Sequence, residues 1–564
     1  LLIHIGEIIL LFIKSTALAI VCVYFLIMLF SLEIYSMRVA FHFFILMLFC
    51  GSASAQSGYW QQDLRYTIKA ELSEADQSIR ASETIVYKNN SPTTLPFIWF
   101  HLWPNAYSND QTALIRQIKS DSSRSKKMEN YGKGSIEGLS FTVNGSPAVT
   151  EPHPNPDYVD VVKLMLNKPL APGDSVVIST PFTVKLPPYF SRSGYADGEF
   201  MACQWYPKPA VFDKDGWHPI PYLDMGEFYS EYASFDVSIT LPAGFVLGAT
   251  GTLQNADELQ AYKKAGAANT ADRTGKRTLY QPTTGNSTKT LRYLAEQVPD
   301  FAWFADRNFV IQYDTTRLPG GKIIDVFSYY HNNKGTIWNK SIDFVKEGVQ
   351  YYSSRIGDYV YPVVQAVEGP ANNSSGGMEY PMITLITSPD AKESTLASVI
   401  VHEVGHNWFM CMLGSNERKH TWMDEGLNTY YQFRYEAEKY RANSIFGDAI
   451  PEDVKKLSAP EFQRVVYDVI AKNLPMESPM DIPADQYPNS DEYGLVSYVK
   501  TALWMYLLET ATSQEQVDKA VQTYFAKWKL KHPGPGDMKA AFEEALGARL
   551  DKFFELTKKA GKLE

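Results

Sequence analysis

The run Val401-His402-Glu403-Val404-Gly405-His406-Asn407-Trp408 decides how this chain is read. The residues around it have the apolar spacing of an amphipathic helix. On a helix, positions four apart share one face, roughly 40° apart at about 3.6 residues per turn. His402 and His406 therefore offer two imidazole nitrogens to one metal ion. Glu403 sits beside that ion rather than on it, where a general base for a metal-activated water belongs. The bland alternative is two helix-surface histidines and a solvated glutamate, so the reading needs a third ligand.

Glu425 is that candidate. It follows His406 after eighteen residues (407–424), inside Trp422-Met423-Asp424-Glu425-Gly426-Leu427-Asn428-Thr429-Tyr430. The stretch from 426 to about 440 reads as a second helix, with Leu427, Tyr430, Tyr431 and Phe433 on or near one face. Packed antiparallel to the first, it would aim Glu425 at the histidine pair. Two histidines and one carboxylate leave a coordination position open, as catalytic zinc requires. One zinc ion per chain is the cofactor expected. Asp424 is either a partner behind a ligand or a helix cap.

This spacing resembles the gluzincin metallopeptidases, specifically the M1 aminopeptidases. Two further segments carry the resemblance: Gly376-Gly377-Met378-Glu379-Tyr380, similar to the family's GxMEN motif, and Tyr498-Val499-Lys500-Thr501, similar to its YxKG segment. The resemblance implies a role for each. Tyr498 would donate a hydrogen bond to the oxyanion, with Tyr493 as fallback. Glu379 would pair with the substrate α-ammonium, making the enzyme an exopeptidase. Gly376 and Gly377 would let backbone approach the substrate, and Met378 and Tyr380 complete the substrate-binding segment. Tyr380 stands where the family has Asn and Thr501 where it has Gly. The first departure bears on amine recognition or the first side-chain pocket.

With 564 residues the chain is long enough for several domains. Its 35 Tyr and 30 Phe suit β-rich layers. A net charge of −10, with basic residues only in short clusters such as Lys126-Lys127, argues against nucleic-acid binding. Residues 8–30 are almost wholly apolar. From Met37, however, a charged start, an apolar run and Ala53-Ser54-Ala55 form a secretory signal peptide over 37–55. Residues 1–36 are then upstream sequence translated in frame, the competing reading being a membrane anchor at 8–30. Export to the periplasm, exterior or cell surface is the expectation. Cys203 and Cys411 lie in different expected domains, which argues against a disulfide.

Short period-two runs at 65–71, 83–88, 95–102, 159–166, 175–184 and 234–241, separated by turn residues, predict an N-terminal all-β saddle or sandwich domain over 56–310. Residues 116–133 read as a surface loop or irregular helix, and 256–276 as another surface insertion. The aromatic stretch 201–229 reads as a self-packed loop or as part of the active-site wall, with Gln204 as a weak candidate for lining the substrate end. A thermolysin-like α/β, mainly helical catalytic domain is expected over 311–530. Within it fall a strand at 323–330, a helix at 336–356, an edge strand at 382–387 able to pair with a peptide, a zinc helix at 395–412 capped by Ser394, and helices at 460–473, 492–512 and 514–529. A short helical end, 531–564, stands where many M1 enzymes have a large helical domain.

These features predict a zinc-dependent aminopeptidase acting on peptides with a free N-terminus. The rivals are a gluzincin endopeptidase, which has no use for Glu379, and a non-catalytic peptide-binding surface protein, which has no use for Glu403 or Tyr498. Oligomeric state is not legible.

Overall fold

From Asp63 to Ser73 apolar and polar residues alternate, and the chain responds as a half-buried strand: Leu64, Tyr66, Ile68, Ala70 and Leu72 all face the core. The computed structural model describes residues 58–125, 132–272, 277–280, 287–333, 336–371 and 376–563. The signal-peptide and anchor readings lie outside these residues. Among them no helix is long and apolar enough to cross a membrane. Gln61–Glu564 form one contact unit.

Asp63–Ser73 sits inside a nine-stranded sheet. Its order is Thr252–Leu253, Thr288–Val298, Ala233–Pro242, Asp63–Ser73, Ser78–Lys88, Ser175–Lys185, Thr142–Val143, Ser146–Pro147, and Ser135–Glu137 also pairs with Ser175–Lys185. Two four-stranded sheets accompany it. One contains Gly194–Ala196, Glu199–Ala202, Trp303–Asp306 and Val246–Ala249; the other is built around Leu95–His101 and Val161–Leu170. This is the expected N-terminal β architecture. Of the two stretches read as surface segments, the first is in part a helix, one of its two readings, and the second is more structured than expected. Ala113–Ser120 is a helix that buries Leu114, Ile115 and Ile118. Ala256–Ala271 is a helix that sets Gly266 against Tyr313 of the strand Phe309–Arg317.

A five-stranded sheet follows, ordered Phe309–Arg317, Ile323–His331, Val363–Glu368, Ile383–Ile386, Gly377–Met378. The three strands from Ile323–His331 to Ile383–Ile386 run parallel and the outer two antiparallel. The expected edge strand at 382–387 is therefore interior. The edge is Gly377–Met378, because the chain doubles back after Tyr380 and covers it. From Ser341 onward helices dominate, among them Ser341–Arg355, Glu393–Gly405, Glu425–Lys439, Ala459–Asn473 and Gln514–Trp528.

Two helix predictions need correction. The motif helix spans Glu393–Gly405 and stops well before 412, and its N-cap is Lys392 rather than Ser394. The single helix expected at 492–512 is three pieces: Ser490–Gly494, a π-helical turn Leu495–Lys500, and Thr501–Ala511. Cys203 and Cys411 are both buried free thiols.

Candidate active site

From Leu396 to Gly405 every residue of the motif helix except Val399 is buried, which fixes its axis. Its last residue, Gly405, permits the closest contact with its neighbours. A Cβ there would lie 2.1 Å from Asn428 Oδ1 and 2.3 Å from the Tyr352 hydroxyl. Asn428 donates back to the His402 carbonyl at 2.7 Å, joining the helix Glu425–Lys439 to the motif helix. Glu425, the first residue of that helix, is thereby delivered to the histidines.

His402 Nε2 and His406 Nε2 are 3.0 Å apart, and Glu425 Oε2 is 3.3 Å from the first and 3.2 Å from the second. The far side of each ring explains the convergence. His402 Nδ1 meets Gln432 Oε1 at 2.6 Å. Gln432 turns its oxygen there because its amide nitrogen donates to Glu436 Oε1 and the Ser398 hydroxyl. His406 Nδ1 meets Asp424 Oδ1 at 2.7 Å and the Phe409 carbonyl at 3.2 Å. Both Nδ1 atoms face acceptors and so carry protons, leaving both Nε2 lone pairs aimed at one point beside a carboxylate oxygen. Three electron-rich atoms sharing one focus fit a zinc ion. Asp424 makes no side-chain cap on its own helix. Its role is to orient His406.

Glu403 and Glu379 are buried, and Glu403 Oε2 and Glu379 Oε1 lack hydrogen-bond partners among the described residues. Ligand atoms of Glu379, Glu403 and His406 lie within 4.8 Å of one another, as do those of Glu227, Glu379 and Glu425. Burial pushes the Glu403 carboxyl well above the usual range, with Glu379, Glu425 and Glu227 adding to the shift and His406 opposing it. Burial likewise raises Glu227 to about 8 although Arg192 Nη2 lies 2.6 Å away. This concentration of buried carboxylates calls for compensating positive charge.

Gly377 leaves room for the Glu403 side chain. A Cβ there would lie 2.6 Å from the Glu403 carboxylate. Gly376 has ordinary space, with its nearest neighbour at 3.6 Å. The Tyr498 hydroxyl donates to Glu425 Oε1, and its ring stacks on His402 with centroids 6.0 Å apart. Burial, then the charges of Glu425, Tyr493 and Glu227, hold this phenol well above its ordinary value, so it keeps its proton. Tyr493 packs edge-on against Tyr498.

These groups line a cavity of about 640 Å³ that includes Gly376, Gly377, Met378, Glu379 and Tyr498. Tyr380 lines instead an adjoining recess that shares Met378 and Glu379 with it. The Tyr380 hydroxyl donates to Gln204 Oε1 at 3.1 Å, so the 201–229 stretch does reach the site. Glu227 and Arg192 had no sequence signal. Gln432 had a weak one, two helical turns beyond Glu425.

A family model, the peptidase family M1 domain, matches residues 341–556. Leucine aminopeptidase 2 of Ajellomyces capsulatus is 27% identical over 200 residues, which cover 34% of this chain and 30% of that protein. Aminopeptidase B of Rattus norvegicus is 27% identical over 205 residues, 36% of this chain and 29% of the relative. The matched part thus spans under a third of each relative's length. An M1 zinc metallopeptidase from Deinococcus radiodurans shares the fold at TM-score 0.59 and 14% identity, across 90% of this chain and 95% of its own. Legionella pneumophila aminopeptidase A does so at TM-score 0.58 and 13% identity, across 90% of this chain and 50% of its own. Residues 341–556 thus carry a match to the peptidase family M1 domain, and the chain shares along most of its length the fold of solved M1 zinc metallopeptidases.

Proposed function

We propose that this protein is a zinc aminopeptidase that removes N-terminal residues from peptides, with His402, His406 and Glu425 holding the metal. The observation that carries the reading is Glu379: buried, with one oxygen lacking a hydrogen-bond partner among the described residues, and with a carboxylate oxygen within 4.8 Å of ligand atoms of Glu403 and His406. A carboxylate so placed suits a substrate α-ammonium and leaves one peptide bond within reach of the base. The negative charge from Glu227 and Glu425 around it strengthens that preference.

A zinc ion held by these three residues supplies Lewis acidity and lowers the pKa of water. Glu403 takes the proton of the attacking water and passes it to the leaving amine. Its raised proton affinity suits the second half of that task. Tyr498 turns its hydroxyl from Glu425 Oε1 to the carbonyl oxygen as charge develops there, a contribution of about 3–4 kcal/mol for a well-placed donor. Gly377–Met378, the sheet edge, is placed to pair with the extended peptide backbone.

The test uses the full chain, wild type and Glu403→Gln, with bound zinc quantified. Each is assayed on aminoacyl chromogenic substrates, free or N-acetylated. The expected result is turnover of the free-amine set alone, abolished in the variant while zinc is retained. Equal turnover of blocked substrates would replace the exopeptidase role of Glu379 with an endopeptidase. Zinc bound without turnover on either set would sink the catalytic reading.

A further inference from the structure

Away from the cavity above, a second set of ligand-type side chains meets where an N-terminal sheet adjoins the catalytic sheet. The hairpin between Gly194–Ala196 and Glu199–Ala202 turns through Asp197 and Gly198, with φ of 50° and 92°. A tight two-residue turn of this kind fixes the register of the strands it joins. Phe200 then pairs with Ala305, and the same register carried one residue further sets Glu199 opposite Asp306. Two carboxylates directly across an antiparallel pair repel each other. Here both are buried, each 2% exposed, where repulsion is felt most.

His331, the last residue of Ile323–His331, completes the group. Its Nε2 is 3.4 Å from Asp306 Oδ2, and ligand atoms of Glu199, Asp306 and His331 all lie within 4.8 Å of one another. Glu199 Oε1 has no hydrogen-bond partner among the described residues. Asp306 Oδ1 is taken by the Asn308 N–H at 2.5 Å, which leaves Oδ2 for the cluster. Behind the ring, Glu368 Oε2 accepts the His331 backbone N–H at 2.7 Å and lies 3.8 Å from Nδ1. That sets a further carboxylate on the imidazole's far side, beyond hydrogen-bond reach of Nδ1 in this conformation. The group opens on a cavity of about 610 Å³, with room for water.

We propose that Glu199, Asp306 and His331 form a second divalent-metal site, separate from the His402–His406–Glu425 centre. An imidazole with two carboxylates and water suits zinc or manganese rather than calcium or magnesium, which favour all-oxygen shells. Two ligands come from an N-terminal sheet and one from the catalytic sheet, so the ion joins them. It replaces the repulsion between Glu199 and Asp306 with attraction to a shared cation, and it satisfies the orphan Glu199 oxygen.

The experiment measures metal per chain by elemental analysis on the full chain, after saturation with zinc or with manganese and removal of free ion. Wild type, Glu199→Gln, His331→Gln and His406→Ala are compared. Circular dichroism and the thermal midpoint serve as folding controls. Two ions are expected in wild type and one in each variant. In Glu199→Gln and His331→Gln the remaining ion is the one that supports peptidase turnover. In His406→Ala the remaining ion has no turnover, and chelating it lowers the thermal midpoint. A folded wild type that holds one ion, unchanged in Glu199→Gln and absent from His406→Ala, would overturn the proposal and leave the active-site reading intact.

Discussion

At the scale of single residues the site depends on atoms that are missing as much as on those present. Gly377 lies where any side chain would press on the Glu403 carboxylate, since a Cβ there would sit 2.6 Å away, closer than side-chain carbons approach in practice. Gly377→Ala should therefore displace the proposed base while leaving the metal ligands in place. We expect kcat to fall by about 10²-fold, the scale of a misplacement near 1 Å, with zinc content unchanged. Full activity in a zinc-replete Gly377→Ala protein would mean that Glu403 does not work from the position seen here. Gly376→Ala is the control, because its neighbours begin at 3.6 Å.

At the scale of elements, the zinc focus is a junction of two helices held closer than side chains normally allow. The pair Gly405 and Asn428 sets that distance, and the Asn428 amide bonded to the His402 carbonyl locks it. Gly405→Ala should push Glu425–Lys439 away from the motif helix. The expected outcome is weaker zinc binding, by about 10-fold or more in a competitive chelator titration, and a loss of stability of about 1–3 kcal/mol as overpacking. Unchanged affinity would show that the helices can part without moving Glu425. The π-helical turn Leu495–Lys500 is the other deciding element. It widens the backbone where Tyr498 must face Glu425 and His402, and such turns gather at functional sites.

At the scale of the whole molecule, buried charge outside the catalytic cavity shapes the response to pH. Asp160 accepts the Tyr222 N–H at 2.7 Å, and burial raises its carboxyl to about 7 despite that bond and the Arg418 charge. Its unfolded value is about 3.9, so between the two the folded state binds more protons than the unfolded one. Stability from this group is present at low pH and is lost as pH rises through about 7, by up to about 1.4 kcal/mol per unit inside that window. Urea denaturation of wild type and Asp160→Asn at several pH values from 4 to 8 checks it: the variant should lack that component of the slope. Parallel slopes would put Asp160 in its charged form throughout. The period-two strands, the motif helix, the i, i+4 histidines and the Glu425 spacing were all legible in order along the chain, because each is a local pattern with a local cause. The π turn was not, since α and π turns differ in hydrogen-bond register and not in apolar spacing. Nor was the edge position of Gly377–Met378, which depends on where the chain returns after Tyr380. Sequence by itself determined which residues could bind metal and carry protons, because ligand chemistry belongs to side-chain type and helical spacing. Tertiary structure alone decided that Glu227 and Arg192 attend the site, and that Glu199, Asp306 and His331 meet, because side chains far apart in the chain are brought together only by the packing of sheets and helices.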